Sequence, residues 1–318
     1  MRFLQARFSF ERACRNLGCA KRKVGVMKKN KRIYLMLLPT VLVYACISAV
    51  PIGYLFFLSL HKTSIYTPGQ FTFIGLENYM SILRSSEVWQ AIAFTFQFTI
   101  SAVSIEFVLA FAIALLFHRK IKGIGAARSL LIIPMVIAPV LAAVTWKMAM
   151  DSNNGVINYI LGLLHIHPIN WLADPKTAKA SLVIVDIWQS TPYLFFVITS
   201  GLQSVPEVYY EAARIDGASR YQLFWNITVP SLKNILMIGL IFRTMGAFRA
   251  YDSIYGLTVG GPGNATSNAS FYAYKLAFTF GQMGESAALS IVFLAIILLI
   301  CAGMSNFMGE IWNAKTED

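Results

Sequence analysis

Asp186, Gln189, Ser190 and Tyr193 are where a chemical reading of this chain begins. Separations of three and four residues return to one side of a helix, so Asp186, Ser190 and Tyr193 share a face, with Gln189 nearby. Glu106, Arg243, Arg249 and Asp252 stand in surroundings just as apolar. An ionisable side chain at the bilayer centre costs roughly 3 kcal/mol on insertion scales, so such groups face protein or a water-filled path. Arg249 and Asp252 are three apart and are placed to pair on one helical face. An arginine facing a pore can hold a carboxylate through two parallel hydrogen bonds, unless Asp186 or Glu106 already takes Arg243. Tyr193 and Trp188 offer ring faces for stacking. This is the chemistry of recognition rather than of bond making. Cys46 and Cys301 lie in apolar runs and Cys14 and Cys19 in a basic head, without a Cys-x-x-Cys pair, so neither a disulfide nor a metal site is expected. His61, His118, His165 and His167 sit at loop edges, where exposure is expected rather than metal ligation.

The elements that carry these residues are read from composition. The chain is 57% hydrophobic and 13% charged, where a soluble chain holds about 25% charged residues. A helix needs about 20 apolar residues to cross the hydrocarbon layer, because its backbone polar groups find no water there. Six stretches qualify, at 33–60, 90–117, 130–150, 181–202, 235–257 and 286–308. The fold class is therefore an all-α membrane protein with six transmembrane helices. The domains expected are a basic tail at 1–32, a six-helix transmembrane domain at 33–308 with a long loop at 203–234, and a short tail at 309–318.

Lys and Arg are retained on the cytoplasmic side of a membrane, which orients the spans. The head 1–32 holds eleven basic residues, and with both termini cytoplasmic nineteen of the twenty-seven Lys and Arg fall inside. Six fall outside and two, Arg243 and Arg249, lie within the fifth span. The net charge of +12 thus points to a membrane surface, not to nucleic acid. The first apolar stretch is too long for a signal peptide and is read as a retained span. Residues 27–32 already form a basic anchor, so 1–26 are expected to be dispensable or to reflect an upstream start codon.

The 203–234 loop is too long for a simple connection. Pro206 and Glu207 open a helix in the favoured way, and Gly217 permits a sharp reversal before a second helix. Within it, Glu211-Ala212-Ala213, three residues, Gly217, nine residues, Ile227, one residue, Val229-Pro230 resembles the EAA loop of ABC importer permeases, with Val229 where Leu is usual. The chain from about Lys31 onward is similar to the carbohydrate-uptake permeases of that class, of the type of the larger maltose-transporter permease subunit. Residues 73–79, Ile133-Pro134, Ala138-Pro139, 170–175, Ile187-Trp188, Pro192 and 257–263 carry the likeness.

The resemblance implies a type I ABC importer permease fold in the bacterial cytoplasmic membrane. It also implies a coupling helix at Glu211, Ala212, Ala213, Asp216 and Gly217 that docks on a separate ATPase, so this chain is not expected to be an enzyme. Gly260–Gly263 lacks the Lys-Ser/Thr of a phosphate loop, and no cofactor is expected. The partners implied are a second homologous permease, a dimer of cytoplasmic ATPase subunits and an extracytoplasmic solute-binding protein met by short loops. Carried over residue by residue, Asp186, Ser190, Tyr193 and Arg243 fall at sugar-contacting positions, with Gln189 and Arg249 beside them, whereas Ala247 and Ala250 lack the family's amides. The cargo implied is a sugar or oligosaccharide. Arg243 directs attention to acidic ones of the uronic, alginate or pectin type; a neutral sugar, a glycerol-phosphate-type solute and, from another class, a stand-alone secondary transporter remain the alternatives. Asn264-Ala265-Thr266 and Asn268-Ala269-Ser270 fit a glycosylation pattern and are read as plain loop residues.

Overall fold

The computed structural model describes residues 31–117 and 123–314. The basic head, the 118–122 part of the second connector and the end of the tail lie outside the described residues. Two compact units divide at Tyr54. The first carries most of helix α1 (Lys31–Ser59), whose apolar side chains are largely exposed, as a surface that meets lipid or another helix requires.

The second unit begins with a two-residue hairpin, β1 (His61–Lys62) against β2 (Thr72–Phe73) in antiparallel register, and α2 (Glu77–Arg84). Buried Asn78 on α2 donates to the carbonyls of Ser59 and His61 and so anchors the hairpin. Then come α3 (Ser86–Phe117), α4 (Ile124–Val136), α5 (Pro139–Ala149), α6 (Val156–Leu163) and α7 (Pro175–Ser204). The 203–234 loop forms α8 (Glu207–Ile215) and α9 (Arg220–Leu223), and a π-turn at Phe224–Thr228 leads into α10 (Val229–Phe248). The chain closes with α11 (Asp252–Leu257), α12 (Ala269–Tyr274), a second π-turn at Lys275–Thr279 and α13 (Met283–Ala314).

Five described helices are long and apolar enough to cross a membrane, and a sixth crossing follows if α4 and α5 form one span. The 130–150 stretch is not the single helix its composition predicts: α4 and α5 meet at 96°. Ile137 and Ala138 are extended there, because the Pro139 ring excludes the helical conformation from the residue before it and Pro139 then starts α5. The fifth stretch is shifted toward the N-terminus relative to its predicted bounds, its helix α10 starting at Val229. It ends at Phe248, and residues 249–251 break before α11 begins. Arg249 and Asp252 therefore do not share a helical face, and among the described residues no ion pair joins them.

The long seam between α3 and α7, joined by α10, organises the second unit. Apolar layers occupy both ends of it. One contains Phe94, Phe98, Val103, Leu182, Val185 and Ala247; the other contains Ala110, Ala114, Leu194, Ile198, Leu232 and Leu236. At Gly239 a Cβ would stand 2.7 Å from Val197 Cγ1, so the missing side chain is what lets α10 approach α7. Asn268 is no plain loop residue: it is fully buried, caps α12 by accepting from Phe271 N–H, and donates to the Ala250 carbonyl at the end of α10.

Candidate functional site

Between the two apolar layers lies a polar one. Glu106 comes from α3, Asp186 from α7 and Arg243 from α10, and all three are buried. Arg243 donates through Nε to Glu106 Oε2 at 2.5 Å and through Nη2 to Glu106 Oε1 at 2.8 Å, a two-point clasp. Nη2 also donates to Asp186 Oδ2. A planar guanidinium presents its donors in a fork that suits this bidentate geometry. The cluster ties three helices together and, with both carboxylates ionised, carries one formal negative charge more than Arg243 supplies.

A cavity of about 450 Å³ opens beside it. Asp186, Gln189, Ser190, Tyr193, Arg243 and Arg249 all line this space, so the six residues singled out in the sequence meet around one volume. Met135, Pro139, Phe242, Tyr251, Asp252 and Ser253 complete much of the wall. Gln189 has a structural duty as well: its Nε2 donates to the Ile137 carbonyl, which the α4–α5 bend leaves without a helical partner. Arg249 is exposed to the cavity, and among the described residues it forms no ion pair.

Trp188 does not reach this space. Its ring packs edge-on against Trp146 with centroids 5.6 Å apart, so Tyr193 is the ring of that pair left to the cavity. Glu106 is visible in the sequence as a costly intramembrane charge, and its pairing with Arg243 is one of the readings left open there; the structure places both Glu106 and Asp186 on that guanidinium. Sequence reasoning misses Tyr251 and Pro139 as wall residues, since only the bend before α5 and the break after α10 bring them there. Of the four histidines, His165 and His167 are exposed and His61 is half-buried, its Nδ1 donating to the Phe57 carbonyl at 2.7 Å; His118 lies outside the described residues.

The second group of candidate residues sits on α8 and the turn after it. Glu211 and Ala212 are exposed on α8, Ala213 is half-buried, and Asp216 and Gly217 form the turn. Gly217 has φ +79°, a left-handed conformation that a side chain resists. Ser219 and Gln222 then build a capping box that starts α9. Tyr210 Oη meets Thr228 Oγ1 at 3.0 Å and holds α8 against the first π-turn. Ala213, Asp216 and Gly217 border a shallow hollow of about 410 Å³ with Gln222 and Asn226.

Residues 18–311 match the family described as binding-protein-dependent transport system inner membrane component. The chain belongs to that family. As a permease of this kind it is similar to the trehalose/maltose transport system permease protein MalF of Thermococcus litoralis, 37% identical over 85% of this chain and 91% of that protein. It is 33% identical to the trehalose transport system permease protein SugA of Mycobacterium tuberculosis, over 86% of this chain and 87% of the relative. A solved bacterial ABC transporter involved in the import of the acidic polysaccharide alginate superposes on the permease with a TM-score of 0.76 at 20% identity, covering 89% of this chain and 97% of that one. A bacterial alginate ABC transporter in complex with alginate pentasaccharide-bound periplasmic protein gives 0.77 at 21% identity, over 90% and 96%. At such identities the likeness is one of fold, and it shows the type I importer permease architecture.

Proposed function

We propose that this permease is the membrane-spanning subunit of an ATP-driven sugar importer and that the cavity beside the Glu106–Arg243–Asp186 cluster receives the cargo during alternating access. The observation that carries this reading is the meeting of Asp186, Gln189, Ser190, Tyr193, Arg243 and Arg249 around one space in an otherwise apolar bundle. Both termini and the 203–234 loop face the cytoplasm in this reading, as the distribution of Lys and Arg favours. Glu211, Ala212, Ala213, Asp216 and Gly217 dock on one subunit of an ATPase dimer, which supplies hydrolysis. A second homologous permease completes the pathway, and an extracytoplasmic binding protein delivers the sugar. ATP shifts the permease because the closed ATPase dimer binds one of its conformations better than the other.

Charge balance favours a neutral cargo. Arg243 is taken up by two carboxylates, so what remains for a ligand there is Asp186, Gln189, Ser190 and Tyr193, groups that suit sugar hydroxyls and a ring face. The relatives named for trehalose and maltose agree with this class. A second reading, an acidic oligosaccharide of the uronic, alginate or pectin type, rests on Arg249, the exposed cation of the same wall. Uptake by proteoliposomes containing the assembled importer tests both, with trehalose, maltose and a uronic trisaccharide as cargoes. Uptake of trehalose or maltose unaffected by Arg249→Ala supports the neutral reading. Uptake of the uronic trisaccharide alone, lost in that variant, replaces it with the acidic one, and transport of none of them rejects the sugar assignment.

A further inference from the structure

A second concavity, of about 540 Å³, runs along the α3–α7 seam and shares no residue with the cargo cavity. Its lining is largely apolar, with Phe98 and Ile105 on α3 and Ile184 and Ile187 on α7, and Ile184 is exposed. Lys176 and Lys179 stand three apart at the start of α7 and also line it. Lys179 Nζ lies 5.4 Å above the Phe94 ring and 3.5 Å from Gln97 Oε1; among the described residues neither lysine has a carboxylate partner. At 1.5 Å per residue, the rise from Lys176 to Ile187 is about 16 Å, close to half the roughly 30 Å hydrocarbon thickness. Two cations therefore sit at one end of an apolar groove about as long as one leaflet is thick.

We propose that this groove holds an anionic phospholipid, its acyl chain along Ile105, Ile184 and Ile187 and its phosphate between Lys176 and Lys179. Charge complementarity selects the occupant, since a zwitterionic lipid or an apolar helix from another subunit gives the two ammonium groups no net countercharge. Binding of this lipid holds the ends of α3 and α7 together on a face separate from the cargo path.

The test uses the full chain with its accompanying subunits in nanodiscs of phosphatidylglycerol and phosphatidylcholine in equal amounts, followed by transfer to detergent and native mass spectrometry of the retained lipid. Phosphatidylglycerol is expected to be retained about tenfold over phosphatidylcholine. The pair Lys176→Gln and Lys179→Gln brings that ratio close to one without lowering the amount of folded protein. Ile184→Trp, which fills the groove from an exposed position, lowers retention of both lipids. An unchanged ratio in the glutamine pair overturns the proposal. So does efficient disulfide crosslinking of Ile184→Cys to a helix of another subunit, which makes the groove a protein interface.

Discussion

The Glu106–Arg243–Asp186 cluster and the α8–α9 turn are opposites in how their groups are answered. In the cluster each charged side chain finds its partner inside the chain, and all three are buried. On α8 and α9 the apolar side chains of Val208, Tyr209, Ile215 and Tyr221 stand out, Ile215 being 86% exposed. A buried ion cluster must be complete, because an unpaired charge in a dry interior is costly. A helix that docks on a partner, the role proposed for α8, stays incomplete, because its apolar surface is stabilised only by what it meets. The permease thus pairs its buried charges internally and leaves the apolar side chains of α8 and α9 exposed.

Substitutions at the two regions separate these demands. Arg243→Ala leaves two buried carboxylates without their cation and is expected to cost about 3–5 kcal/mol, seen as loss of folded protein and a collapsed thermal transition in detergent. Glu106→Gln keeps the Arg243–Asp186 pair and should cost distinctly less; equal losses would show that the cluster is not a charge-paired unit. Glu211→Lys is expected to leave insertion and thermal stability unchanged while abolishing ATP-dependent uptake, and normal uptake in normally assembled complexes removes α8 as the coupling site. Gly217→Val forces a β-branched residue into φ +79°, a penalty of about 1–2 kcal/mol confined to the turn, so uptake falls partly and melting moves little. Arg249→Ala is expected to change stability by less than about 0.5 kcal/mol, as for exposed positions, and, under the neutral-cargo reading, to leave sugar uptake intact. A large stability loss there would show that Arg249 is held by the protein as firmly as Arg243.

The two regions are legible in the sequence to different degrees. The loop is readable almost in full: Pro206 and Glu207 open α8, and Gly217 takes the left-handed conformation expected of a reversal. Its signals are local, since caps and turns act between residues a few positions apart. The cluster is readable only as a set of costly charges with open partners, because Glu106 and Arg243 are 137 positions apart. The bend in the third apolar stretch is the main departure from the sequence reading. Apolar composition reports that a segment belongs in lipid, and Pro139 is visible, but a 96° change of direction depends on what receives the freed carbonyl of Ile137, which is Gln189 from another helix.

The resemblance carried by the 211–230 motif was enough for the family, and composition with short-range spacing was enough for the approximate place of the apolar segments and for the helix–turn–helix at 207–223. Three further features needed the folded chain: Arg243 is spent on two carboxylates, Trp188 turns away from the cavity, and Arg249 faces that cavity with no ion pair among the described residues. Pairing, stacking and exposure depend on which helices touch. That contact is set by the packing of α3, α7 and α10 around Gly239 and the two apolar layers, a relation that no single segment contains.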